Sequence, residues 1–411
     1  MTKLQIEVEP AEAGFDGARL DRIDTHFRRF VDDGRLPGYL IAVSRGGRIA
    51  HLSTYGRRDI EADKPVELDT LFRIYSMTKP ITSVAAMMLY EQGAFELRDP
   101  VSKFLPSFAD MKVYKAGSAL NPVLVPAVEP VRIWHLLTHT SGLTYGFHHA
   151  HPVDAMYRSA GYEWWFPPGV DLAGAVDQWA DLPLLFHPGD EWNYGVSTDV
   201  LGRVVEVASG QPLDAFFDEH IFGPLRMTDT SFSVGEADAD RLAKLYTPKP
   251  GPRTATRLDA LGDLALSPPP VLSGGGGLIS TAADYHRFNL MLLNKGELDG
   301  VRLLGPRTVD YMATNHLPGD ADLAAFGRPL YAETPFDGVG FGLGFHVVQS
   351  PVTAKVLQSR GEFAWGGAAS TAFWIDPVEQ ITGLFLTQLL PSSAWPLRTQ
   401  LKQLVYQALV D

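Results

Sequence analysis

The sequence predicts an α+β fold: one antiparallel sheet flanked by terminal helices, with a mainly helical lobe inserted into it. An amphipathic helix followed by a hairpin opens the chain, and short strand patterns followed by a helix close it. Between them lies a long region rich in proline, glycine, aromatic residues and short helical patterns. The two ends therefore rejoin in one layered unit around the middle.

In chain order, Gly14 to Gly34 has the apolar spacing of an amphipathic helix. Tyr39 to Ser44 and Arg48 to Tyr55 read as two strands around the turn Arg45-Gly46-Gly47. A helix begins close to Ser76, with Pro80 near its start, where the missing N–H costs least, and with Ile81, Val84, Ala85, Met88 and Leu89 at the helical period. Asp199 to Ala208 reads as another helix. Phe341 to Val348, Thr371 to Ile375 and Ile381 to Thr387 read as strands, and Leu397 to Val410 as a closing helix. This reading assigns residues 1–105 and 301–411 to the sheet lobe and 106–300 to the helical lobe, with the active site between them. No internal repeat or low-complexity linker interrupts it; the Ser273 to Gly277 run SGGGG is too short to be one.

With 411 residues, 45% hydrophobic and 20% charged, the chain has ample material for a large core. A formal charge of −13, without any Lys/Arg-rich run, argues against a nucleic-acid partner and for a small-molecule one. Because there is no cysteine, disulfides, thiolate metal sites and a cysteine nucleophile are ruled out. Acidic residues interrupt the N-terminal segment and no later run is long enough for a bilayer, so no membrane association and a cytoplasmic location are the expectations.

The segment FRIYSMTKPITSVAAMM (72–88) places Lys79 in the first turn of an apolar helix, where the helix dipole disfavours a cation. Broken local rules cluster at functional sites. Residues three apart share a helix face, so Ser76 and Lys79 meet, and a neutral amine there can take the hydroxyl proton. A bare S-x-x-K recurs by chance in a chain of this length; its setting at a helix start gives it weight. Two further stretches join it: PGDEWNYGVSTDVLG (188–202) presents Tyr194 just before a helix, and FAWGGAAS (363–370) puts paired glycines at a strand edge.

Together with SMTK, these stretches resemble the serine β-lactamase-like superfamily, nearest the class C β-lactamases and the family VIII carboxylesterases. WHLLTHTSGL (134–143) and SGGGGLIST (273–281) stand in the order such proteins show, and the resemblance runs from about residue 20 to the C-terminus. It implies that Ser76 is acylated, that Lys79 is its base partner, and that Tyr194 bridges them and later activates water. The helix field and desolvation both favour neutral Lys79, and the proton belongs to the Lys79–Tyr194 pair rather than to one member. The resemblance further implies an oxyanion hole formed by the backbone N–H groups of Ser76 and Ala368, with Gly366 and Gly367 letting main chain approach a bound acyl group. It calls for no metal and no cofactor.

Departures from the lactamase pattern narrow the substrate. Trp365-Gly366-Gly367 stands where lactamases have K-T-G, and Tyr194-Gly195-Val196 where class C enzymes have tyrosine-x-asparagine. A neutral ester needs neither the missing cation nor the missing amide. Tyr145, Phe147, Tyr162, Trp164, Trp165 and Phe166 are candidates to line an apolar pocket. His135, His139, His148, His149 and His151 lack the H-E-x-x-H pattern of a zinc site, and no G-x-S-x-G elbow is present. The sequence thus predicts a serine carboxylesterase acting on short-chain or small neutral esters. Its rivals are an acyltransferase, a weak β-lactamase or D-amino-acid peptidase, and a ligand-binding relative without turnover.

Overall fold

The structure is a computed structural model that describes residues 4–164, 166–251, 253–328 and 336–410. After a short turn of helix at Gly17–Leu20, α1 (Arg22–Asp32) leads into the strands β1 (Gly38–Arg45), β2 (Arg48–Asp59) and β3 (Lys64–Pro65). The Gly46-Gly47 turn joining β1 to β2 has positive φ at both residues, the conformation that a two-residue hairpin demands and glycine supplies. Much later come β4 (Val339–Phe341), β5 (His346–Val348), β6 (Phe363–Gly366), β7 (Ala372–Asp376) and β8 (Ile381–Leu386). All eight form one sheet in the order β4-β5-β6-β7-β8-β1-β2-β3, and the neighbouring pairs are antiparallel. The ends of the chain meet where β1 pairs with β8, Leu40 opposite Leu386.

Strand alternation decides which core each residue enters. Tyr39, Ile41 and Val43 face one way and pack with Phe27 and Phe30 of α1 and with Leu397, Leu401 and Val405 of the last helix, which is Leu397–Tyr406. Leu40 and Ala42 face the opposite way, into a larger core. That core contains α2 (Thr78–Glu91), whose residues from Thr78 to Leu89 are all buried. An apolar helix buried all round has no solvent face to mark with polar residues. Packed on α2 is α3 (Ser197–Ser209), which Gly210 ends in the left-handed conformation. The helix α4 (Ala282–Leu293) lies against β7 and β8, and the closing helix Leu397–Tyr406 is α5.

Two elements differ from the sequence expectation. Phe341 to Val348 is a hairpin of two strands, not one strand: Gly344 turns the chain at φ +105, and a Cβ there would sit 2.2 Å from Ser83 Oγ on α2. Glycine is needed because the turn rides directly on the helix. The segment 14–34 is likewise divided, because Asp16 caps Gly17–Leu20 through the Arg19 N–H and α1 starts afresh at Arg22. Among the described residues no helix is long and apolar enough to cross a membrane.

Candidate active site

Ser76 lies in the single helical turn Tyr75–Met77 that leads into α2, and Tyr75 before it holds a positive φ of 43°. A non-glycine residue rarely adopts that conformation, and such strain is stored where the fold over-determines a position. The turn leaves Ser76 half-buried at a cavity wall while Lys79, in the first turn of α2, is fully buried. Lys79 Nζ lies within hydrogen-bond reach of three neutral oxygens: Gly275 O at 2.7 Å, the Tyr145 hydroxyl at 3.0 Å and Ser76 Oγ at 3.4 Å.

Tyr194 reaches the same place from the segment before α3. Lys79 Nζ lies over its ring, 4.5 Å from the centroid, and its hydroxyl accepts from Trp365 Nε1 at 3.3 Å. The phenol on the lysine nitrogen is therefore that of Tyr145, a residue that the sequence had marked only as a pocket aromatic. Burial, reinforced by Asp199 and Tyr194, pushes the Tyr145 phenol well above its ordinary pKa, so it is held as a neutral hydroxyl. His139 packs 5.0 Å from the Tyr194 ring, and burial, together with Lys79, keeps it neutral.

The SGGGG run has a structural reason. Asp199, in the first turn of α3 and fully buried, accepts from Ser273 Oγ at 2.5 Å and from the Gly275 N–H at 3.0 Å. A Cβ on Gly275 would come within 2.4 Å of the Asp199 carboxylate. The carboxylate thus clamps the loop whose Gly275 carbonyl holds Lys79. Burial raises the Asp199 pKa, and Lys79 and the two loop donors work against that rise. Sequence reading missed Asp199, since an acid in a helix's first turn is ordinary.

Trp365-Gly366-Gly367 closes β6 and the turn to Thr371 presents Ala368 beside Ser76 at the cavity wall. The glycines make room for protein: a Cβ on Gly367 would meet Ile74 O at 2.4 Å, and one on Gly366 the Arg398 guanidinium carbon at 2.3 Å. A cation therefore does sit beside this strand end, supplied by α5 rather than by the strand. It went unnoticed although it carries the signal that marks Lys79, a cation in a helix's first turn.

Two cavities meet at Ser76, Phe147, Trp164 and Ala368. One, of about 450 Å³, runs past Tyr194, Trp365 and Phe336; the other, of about 810 Å³, runs past Tyr145, Val196, Phe232 and Leu261. Tyr145, Phe147 and Trp164 stack in sequence with centroids 4.7 and 4.5 Å apart. Tyr162 and Phe166 line the larger cavity, while Trp165 lies outside the described residues. Of the histidines, His148 bonds the Tyr194 carbonyl, His149 pairs with Glu163 and His151 caps a helix.

Residues 23–407 match the beta-lactamase family model. The chain belongs to the beta-lactamase family. Within it, the chain is 32% identical over 424 residues to Esterase EstB of Burkholderia gladioli, covering 97% of this chain and 98% of that protein. The fold superposes with a TM-score of 0.78 on EstCE1, a hydrolase with promiscuous acyltransferase activity, at 27% identity over 95% of this chain and 98% of that one. Simvastatin synthase (LovD) from Aspergillus terreus, unliganded, gives a TM-score of 0.79 at 26% identity, covering 94% and 98%. Esterases, acyltransferases and penicillin-binding-protein homologues thus share this beta-lactamase architecture.

Proposed function

We propose that this beta-lactamase-family chain is a serine carboxylesterase of the family VIII type, hydrolysing neutral esters through an acyl-enzyme on Ser76. The observation that carries the reading is Lys79: fully buried, three residues from Ser76, with its hydrogen bonds among the described residues all to neutral oxygens. Among the described residues no carboxylate is hydrogen-bonded to this buried amine, Asp199 acting on it from a distance, and such a placement costs stability that a purely structural role would not justify. The names of its relatives, an esterase and a hydrolase with acyltransferase activity, point to the same chemistry.

In this reading a neutral Lys79 gives its two N–H groups to Gly275 O and the Tyr145 hydroxyl, Ser76 Oγ attacks the ester carbonyl, and the serine proton passes to the remaining lone pair of Nζ. The tetrahedral oxyanion lies against the N–H groups of Ser76 and Ala368. Collapse expels the alkoxide, which takes the proton back from the Lys79–tyrosine group. Water then attacks the acyl carbon and gives a proton to the Lys79–Tyr194 group; the acyl–Oγ bond breaks, the acid leaves and that proton returns to Ser76 Oγ, while Tyr145 orients Lys79 as a neutral hydroxyl. Trp365, Gly366, Gly367, Phe147 and Val196 frame the substrate. Trp365 packs among Tyr194, Phe336, Phe341 and His346 and offers no cation to a β-lactam carboxylate.

A second reading, acyl transfer to an alcohol, is favoured by the two cavities that meet at Ser76, which give an acceptor space apart from the acyl group. Hydrolysis of a chain-length series of p-nitrophenyl esters, run beside nitrocefin and with added alcohol, tests both. Ester turnover with little nitrocefin turnover supports the esterase, and alcohol-dependent ester products support transfer. Nitrocefin turnover that matches ester turnover refutes the assignment.

A further inference from the structure

We infer that Arg398 is a positioning residue for the oxyanion hole, acting through the Gly367–Ala368 peptide group. The inference deepens the reading of Ser76 as the acylated nucleophile and rests on it. Arg398 Nη2 donates to Gly367 O at 2.9 Å and to Thr371 O at 3.1 Å. The same Gly367 carbonyl accepts the Ser370 N–H at 3.2 Å, and the Gly367 N–H donates to Thr371 O at 2.9 Å. Ser370, at φ +67, ties the turn to Leu389 O through its hydroxyl at 2.7 Å.

The peptide unit whose oxygen takes the guanidinium bond is the one whose nitrogen belongs to Ala368. A charge-assisted bond to a carbonyl draws electron density toward oxygen and leaves the N–H of that unit more positive, and chains of such bonds strengthen one another. Arg398 thus both fixes the direction of the Ala368 N–H and makes it a stronger donor to a developing oxyanion. The fold makes room for this: Gly366 is the residue over which the guanidinium lies, and any side chain there would overlap it. Arg398 also reaches the smaller cavity, so contact with substrate is the competing explanation.

The test compares an ester with its thionoester, because sulfur accepts poorly from oxyanion-hole donors. Arg398→Ala is expected to lower kcat for the ester about 10- to 100-fold with KM changed less than threefold, and to lower the ester-to-thionoester ratio of kcat/KM in step. Arg398→Lys should recover part of both effects, and millimolar guanidinium should recover part in Arg398→Ala alone. The acyl-enzyme carbonyl stretch should move to higher wavenumber. Gly366→Ala, which displaces the guanidinium without removing it, should reproduce the lowered ratio if Arg398→Ala does not fold. Equal losses for ester and thionoester, a change in KM alone, or wild-type kinetics in a folded variant would overturn the inference while leaving the esterase standing. Wild-type protein that turns over no ester, or is acylated elsewhere than Ser76, would instead remove the reading beneath it.

Discussion

Gly367→Ala isolates the strand end on which the oxyanion hole depends. Gly367 does not occupy the left-handed region, so alanine suits its backbone and the penalty is steric. The new Cβ would lie 2.4 Å from Ile74 O and 2.3 Å from Thr371 Oγ1, against about 3.4 Å for ordinary contact. The strand end, or the Ile74 to Ser76 segment beneath it, must retreat by about 1 Å, carrying the Ala368 N–H away from the Ser76 N–H. A misplacement of that size costs about a hundredfold in rate, close to 2.7 kcal/mol of transition-state stabilisation. Overpacking should also cost about 1 to 3 kcal/mol of stability. Steady-state kinetics on p-nitrophenyl butyrate and urea unfolding read the two effects separately. Gly235→Ala, where a Cβ meets nothing within 4 Å, is the control and should leave both unchanged. A Gly367→Ala enzyme within twofold of wild-type kcat/KM would refute the idea that this close approach sets the site's geometry.

Lys79→Ala should lower the acylation rate by three orders of magnitude or more. Tyr145→Phe and Tyr194→Phe should each fall well short of that, and a Lys79/Tyr194 double mutant should lose far less than the sum in stopped-flow acylation. Asp199→Ala should cost about 1 to 3 kcal/mol in urea unfolding, because Ser273 Oγ and the Gly275 N–H lose their acceptor, and should also lower kcat by loosening the carbonyl that holds Lys79. Burial, with Arg287 nearby, holds His286 at a pKa of about 4, below the 6.5 of a free imidazole. The unfolded chain therefore binds the extra proton first, and the stability that His286 contributes falls as pH drops from about 6.5 toward 4, by about 2 kcal/mol between pH 7 and 4.5. His286→Gln should flatten that slope in paired urea titrations; an unchanged slope would exclude His286 as its source.

The strand and helix periods made the sheet's ends and the terminal helices legible, because both faces of β1 are buried against named apolar partners. The glycine hairpin at 342–345 was not legible: alternation around FGLGF looks like one strand, and only contact with Ser83 shows why the chain must turn. At the site, Lys79 could be found from sequence because a cation in a helix's first turn violates a local rule. Arg398 violates the same rule, yet without the Gly366 contact it reads as a surface residue of an amphipathic helix. Tyr145 differs from its aromatic neighbours only in where its hydroxyl points, which no spacing records. Expected bridging by Tyr194 has its counterpart in a ring beneath Lys79, with the hydroxyl turned to Trp365.

Everything proposed for this site depends on Ser76 carrying the acyl group. Rapid quench of the enzyme with a slow ester, or reaction with an alkyl phosphonate, followed by peptide mass spectrometry tests it directly. One adduct is expected, on the peptide containing Ser76, together with a Ser76→Ala protein that keeps its unfolding transition but loses both adduct and turnover. An adduct on another residue, or undiminished ester hydrolysis by Ser76→Ala, would contradict it.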